Sequence, residues 1–246
     1  MPVFRKNGKN ILFIHVPKCG GSSVEYSFRD SGYRVEYRDP KLGRKSLNHL
    51  RTCSPQHMHA EMLRQTLRVE RFELVFMIVR EPIARFRSEY VYLHRKHEAV
   101  SRKAADVSAW ARKEFRAYEK DPFVLDNHLR PQSEFWMPEA VVYRLEDGFD
   151  AMLDDLNTRF HVGVTAAERA LHSEKEVGFP SSEVELSDDL TQHLRGFYHD
   201  DFERFGYEPG VKPAASKVPL ANGDRFHRTV NRLERRTRSV VRRIRP

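Results

Sequence analysis

Residues 11–23, ILFIHVPKCGGSS, pass from an apolar, β-branched stretch directly into a proline, a lysine, a glycine pair and two serines. No other stretch constrains the fold as much. A short apolar run of this kind reads as a buried strand, small residues allow a tight turn with its amides aimed inward, and a helical pattern covers Ser23 to Arg29. Strand, loop and helix N-terminus in succession make a cradle for an anion, because unpaired amides join the positive end of the helix dipole.

The same alternation continues along the chain. Leu74 to Val79 and Ala140 to Leu145 are further apolar runs, and a weaker alternating one covers Tyr33 to Arg38. The spacing predicts helices over Gln56 to Val69, Pro82 to Lys96, about Ser101 to Tyr118, and Phe149 to Phe160. Ser187, followed by Asp188 and Asp189, supplies an N-cap and an acidic first turn for a helix reaching about Phe205. Strands alternating with helices place the chain in the α/β class, with a mostly parallel central sheet flanked by helices. At 246 residues, one domain with additions is expected.

Charge separates the additions from the domain. Nine of the 43 basic residues and only Glu234 of the 35 acidic ones lie in 225–246, so the tail carries 9 − 1 = +8 while the 34 basic and 34 acidic residues before it cancel. In that tail Phe226, Val230, Leu233, Thr237, Val240 and Ile244 recur at helical steps. The expected division is a domain over 1–208, a Pro/Gly/Ser-rich linker over 209–224 and a basic amphipathic helical extension over 225–246. Such a tail packs on its own body or lies on an anionic membrane; nucleic-acid binding is disfavoured because no reader motif accompanies the charge. Two cysteines, Cys19 and Cys53, are too few for a disulfide framework, and no leader pattern or membrane-length apolar run stands out. A cytoplasmic protein, with at most peripheral contact at the inner membrane face, is expected.

In a Walker A loop the lysine follows the second glycine. Here Lys18 precedes Gly20 and Gly21. From that side it sits by the bridging oxygen of a phosphate ester and neutralises charge as a leaving group departs, with Ser22 and Ser23 as further donors. Read alone, the stretch also fits a glycine-rich turn with a solvated lysine. The second motif, VREPIARFRSEY over 79–90, puts Arg80 at a strand end, Pro82 in a first helical turn, and Arg85 and Ser88 on one helical face. Arg80 and Ser88 suit a second phosphate; the plain alternative pairs Glu81 with Arg85.

Together the two motifs resemble the sulfotransferase superfamily that uses 3′-phosphoadenosine 5′-phosphosulfate. The first is similar to its 5′-phosphosulfate loop at Pro17, Lys18, Gly20, Gly21, Ser22 and Ser23, with Cys19 where threonine is frequent; the second is similar to its 3′-phosphate motif at Arg80, Pro82, Arg85, Ser88 and Tyr90. The resemblance spans about 8–208 and is closest to the glycan-directed branch that includes heparan sulfate 2-O-sulfotransferase and bacterial relatives. It implies a P-loop-like sulfotransferase fold, a donor held by Pro17 to Ser23, Arg80 and Ser88, Lys18 on the departing phosphate, a carbohydrate or glycoconjugate acceptor and no metal. It further implies a histidine base within SPQHMHAEML, His57 first and His59 second, and donor or acceptor contacts from His128, Arg130 and Gln132 in a loop similar to the family's H-x-x-P-Q segment. A metal reading of the histidines finds no third ligand nearby in sequence. Two other classes stay open: a non-catalytic nucleotide- or glycan-binding module of the same fold, and an ATP-dependent phosphotransferase.

Overall fold

A computed structural model describes residues 2–96, 100–167 and 177–208. The expected linker over 209–224 and basic tail over 225–246 lie outside the described residues. The apolar runs become strands of one five-stranded sheet: β1 (Val3–Lys6), β2 (Lys9–Ile14), β3 (Arg34–Glu36), β4 (Leu74–Val79) and β5 (Val141–Arg144), in the order β3-β1-β2-β4-β5. β2 pairs with β4 and β4 with β5 in parallel, whereas β1 is antiparallel to both β2 and β3. Four strands therefore share one direction, as expected of a mostly parallel sheet, and β1 alone opposes them. Sequence periodicity missed β1 because four residues are too few to display it. The signal that could have found it is Asn7-Gly8, whose φ angles of 51° and 81° form the two-residue turn favoured in hairpins.

The helices are α1 (Gly21–Asp30), α2 (Ala60–Thr66), α3 (Pro82–His94), α4 (Ala104–Lys120), α5 (Phe149–Phe160), α6 (Asp188–Phe197) and α7 (His199–Phe205). Two differ from expectation. The helix read over Gln56 to Val69 is a 3₁₀ turn, Pro55–His57, followed by extended Met58 and His59 before α2 begins; the His57 carbonyl accepts from Asn127 Nδ2 at 2.8 Å rather than from a following helical turn. The helix from Ser187 is broken at Tyr198, whose hydroxyl donates to the Leu129 carbonyl at 3.0 Å. Ser187 caps α6 as its chemistry requires, accepting from the Leu190 amide.

Connectivity positions the site. After β2 the chain crosses through α1 to β3 at one edge, then returns through α2 to β4 on the other side of β2. The loops after β2 and β4 thus open beside each other where the chain changes direction across the sheet, the place where open α/β sheets bind ligands. Beneath them, Phe13 and Phe76 pair in register and Phe28 of α1 lies over the same face, 5.8 Å from Phe76 and 4.1 Å from Phe4 by ring centroids. Phe28→Ala removes the ring that joins α1 to β1 and β4 and is expected to cost about 3–5 kcal/mol. Urea unfolding measures it as a lower midpoint at unchanged slope; a shift under 1 kcal/mol would mean that α1 is not anchored there.

Candidate active site

The loop between β2 and α1 needs its two glycines for different reasons. Gly20 is the N-cap of α1 at φ 79°, and Lys18 is also left-handed at φ 67°, so the lysine is held in a backbone conformation that side chains disfavour. Gly21 is in the ordinary helical range, but a Cβ there would fall inside the His15 imidazole. Ser23 and Val24 amides return to the Gly20 carbonyl. The Gly21 and Ser22 amides are left without an intrahelical acceptor, as first-turn amides are.

Two side chains tie this loop to its neighbours. Arg85, 1% exposed, donates from Nε to the Pro17 carbonyl at 3.1 Å and from Nη2 to the carbonyls of His128 at 2.7 Å and Arg130 at 2.9 Å. Gln132, fully buried, accepts from the Arg80 amide at 2.9 Å and the Cys19 thiol at 3.2 Å, and donates to the Arg80 carbonyl at 2.7 Å. The Gln132 amide, expected to contact donor or acceptor, is thus engaged at both ends within the protein. Arg130, expected in the same role, is buried, donates to Asn127 Oδ1 at 2.9 Å, pairs with Glu134 and lies 5.1 Å from the Phe123 ring. Glu81 does not pair with Arg85 either; it caps α3, accepting from the Ile83 and Ala84 amides. Tyr90 donates to the Ser101 carbonyl. Arg80 reaches the Lys18 carbonyl at 3.4 Å, and Ser88 is buried on α3. Burial pushes the thiols up, Cys19 to about 12 and Cys53 to about 11, which leaves them inert.

Three histidines form a row. His57 meets His15 edge-on at 5.1 Å and His128 at 4.8 Å, and His128 stacks on Tyr92 at 5.8 Å. The Lys18 ammonium lies 3.8 Å from the same Tyr92 ring. Each histidine is oriented through Nδ1 by a carboxylate: His15 by Glu25 at 2.8 Å, His57 by Asp126 at 2.8 Å, His128 by Glu89 at 2.6 Å. Burial lowers the His57 pKa, the neighbouring His128 and His15 add to this, and Asp126 opposes it, so the ring is neutral at ordinary pH. Burial works against ionising Asp126, yet the His57 bond and the Ser54 amide hold its pKa down. Burial lowers Lys18 to about 8, Glu89 opposing and Arg80 and Arg95 assisting. His59 occupies the N-cap position of α2 without a side-chain capping bond and lies by Phe123 at 5.9 Å; its Nδ1 is buried without a partner among the described residues.

Asp126 is presented by an unusual backbone. Leu125, Asp126 and Asn127 are successive left-handed residues with φ of 53°, 56° and 65°, each costing about 1–3 kcal/mol. Their side chains offset this by holding the His57 segment: Asp126 accepts from the Ser54 amide at 2.6 Å and Asn127 donates to the His57 carbonyl. Sequence reasoning missed Asp126, Glu89, Tyr92, Glu25 and His15. The last two were readable in principle, since a histidine two residues beyond Phe13 continues that strand's alternation onto the α1 side. Asp126 and His128 also bring His57 the companions that its sequence neighbours lack: ligand atoms of the three lie within 4.8 Å of one another, close enough to hold a metal ion, although both Nδ1 atoms already bond carboxylates.

A family model described as the sulfotransferase family matches residues 2–208. No curated protein and no solved structure matches the chain. Among the described residues, no helix is long and apolar enough to cross a membrane.

The depressed Lys18 pKa has a sign that can be measured. Between pH about 8 and 10.5 the folded chain has released this proton and the unfolded chain has not, so the unfolding free energy gains an upward slope with pH. Below pH 8 both states are protonated and the slope vanishes. Lys18→Met is expected to lose that rise, as read by urea unfolding of both proteins at pH 7.5 and 9.5; identical pH responses would mean that the ammonium is solvated.

Proposed function

This chain belongs to the sulfotransferase family, and we propose that it moves a sulfuryl group from 3′-phosphoadenosine 5′-phosphosulfate to a hydroxyl of a carbohydrate or glycoconjugate. One observation carries the reading: a lysine on the anion-binding loop and a carboxylate-oriented neutral histidine border one cluster, joined through Tyr92 and His128.

In this reading the Gly21 and Ser22 amides and the hydroxyls of Ser22 and Ser23 hold the 5′-phosphosulfate, and Arg80 with Ser88 holds the 3′-phosphate. The acceptor oxygen attacks sulfur in line with the bridging oxygen. Its proton goes to His57 Nε2, which is the basic nitrogen because Asp126 takes the Nδ1–H. The sulfur–oxygen bond to the 5′-phosphate breaks, the electron pair leaves with the nucleotide bisphosphate, and Lys18 meets the new charge. His57 ranks before His59 because it has the orienting carboxylate. Arg85, Arg130 and Gln132 act by holding the loops in place, and His128 by flanking the base.

Calorimetry tests the donor site. Adenosine 3′,5′-bisphosphate is expected to bind without metal, and Arg80→Ala to weaken it at least tenfold. Stronger binding of ATP with magnesium would return the chain to the phosphotransferases. With a glycan acceptor, Lys18→Ala is expected to lower kcat about 10²–10³-fold and His57→Ala about 10²–10⁴-fold with the fold retained. Tight bisphosphate binding with no turnover on any of a panel of glycans would make it a binding module.

A further inference from the structure

Exposed apolar side chains are concentrated in one place on this protein. Among the described residues, the large hydrophobic side chains left in solvent are Tyr37, Leu42, Leu47 and Leu50, and all four fall in the segment between β3 and the 3₁₀ turn of His57. Leu47 is 95% exposed and Leu50 88%, so neither packs on the body of the protein. Scattered surface leucines need no explanation. Two that stand almost wholly in water, three residues apart in one loop, contribute nothing to the folded domain and suit a surface that covers them.

The loop has a definite shape. Asp39 accepts from the Lys41 amide at 3.0 Å and from Asn48 Nδ2 at 2.9 Å, and Asn48 Nδ2 also donates to the Lys41 carbonyl at 2.9 Å. The Ser46 amide returns to the Gly43 carbonyl at 2.9 Å and the Arg51 amide to that of Asn48 at 3.0 Å. These bonds close the loop on itself, and they occupy both oxygens of its one carboxylate. Residues 37–51 hold five basic residues and one acidic residue, 5 − 1 = +4, within a 1–224 segment whose charges cancel. Lys41, Arg44 and Lys45 are exposed, and their side chains meet no carboxylate among the described residues.

We propose that residues 41–50 form a membrane-docking loop, in which Leu47 and Leu50 enter the acyl boundary of a bilayer while Lys41, Arg44 and Lys45 meet anionic headgroups. Apolar side chains beside unpaired cations are the means by which a chain lies on such a surface, each cation adding about 1 kcal/mol near it. A second copy of the chain is the poorer occupant, because a two-fold contact would set +4 against +4. A protein pocket is poorer as well: lysine is depleted in protein interfaces and leucine is under-represented among their strongest contacts. A fluid apolar layer asks for no shape match and tolerates separate protruding side chains. Leu50 precedes His57 by seven residues, a reach of at most about 25 Å, so docking holds the histidine segment close to the membrane surface. The attachment goes beyond the proposed reaction and does not depend on it.

Sedimentation of the full chain with vesicles tests the loop. Binding to vesicles of seven parts phosphatidylcholine to three parts phosphatidylglycerol is expected to be at least tenfold tighter than to phosphatidylcholine alone. The double variant Leu47→Ser, Leu50→Ser should weaken binding to the anionic vesicles at least tenfold, with its urea midpoint unchanged because the replaced side chains lie in water. Residues 225–246 are present in both proteins, so the difference between them reports the loop. In a separate variant, Leu47→Trp, the emission left after subtracting the wild-type spectrum should shift to the blue when anionic vesicles are added. No binding by the full chain, equal binding by the double variant, or emission at position 47 that stays that of indole in water would each overturn the proposal. Self-association that the double variant abolishes, without vesicle binding, would also overturn it and give the leucines to a contact between chains.

Discussion

A buried guanidinium holds the two halves of the site in one place. Arg85 has almost no contact with solvent and spends its donors on three carbonyls from two loops, Pro17 before the lysine and His128 and Arg130 beyond the left-handed segment. A charge taken out of water is costly unless its donors are met, and each hydrogen bond to a charged group contributes about 1.5–3 kcal/mol. Glu89 and Asp201 lie close enough for Arg85 to favour their ionised forms, which compensates the charge without a direct ion pair. The arginine tolerates only one relative position of the loops, and that makes it a device for registration.

Gln132 and Asp201 extend the same principle through neutral and charged acceptors. Gln132 uses both ends of its amide on Arg80 and one on Cys19, so the ends of β2 and β4 move together. Asp201 of α7 accepts from the Gln132 and Ser133 amides at 2.8 and 2.7 Å, tying the last described helix to the same loop. Chemistry-bearing groups therefore sit on loops, yet the loops are fixed by buried side chains whose polar atoms have specific partners. Against that rigid frame, the three left-handed residues around Asp126 are sustainable: their strain is offset by bonds to the backbone of the histidine segment.

The histidine row shows how environment assigns different roles to similar groups. His15, His57 and His128 all carry a carboxylate on Nδ1, but His57 lies between the other two and feels both as repulsive neighbours. Its neutrality at ordinary pH follows from burial and from that flanking. Lys18, at the far end through Tyr92, is the group whose charge is held marginal by burial. A histidine that stays neutral and a lysine whose charge is conditional, bordering one aromatic cluster, suit the proposed removal of a proton at one end and neutralisation of charge at the other.

Sequence alone determined the α/β alternation, the strand-loop-helix cradle at Lys18 to Ser23, the second motif at Arg80 and Ser88, and the helix boundaries at Pro82 and Ser187. These are local: apolar period, glycine, proline and capping chemistry act over a few residues and leave their mark in order and spacing. The antiparallel β1 was legible too, through Asn7-Gly8, though not through periodicity. Only the tertiary structure decided that Arg85, Arg130 and Gln132 face inward, that Asp126 orients His57 from 69 residues away, and that Arg29, Arg34 and Arg38 line one cavity within a segment, 1–224, whose charges balance overall. Motif spacing cannot tell a ligand-binding arginine from a loop-holding one, because the difference lies in which carbonyls the fold brings within 3 Å or so of its nitrogens.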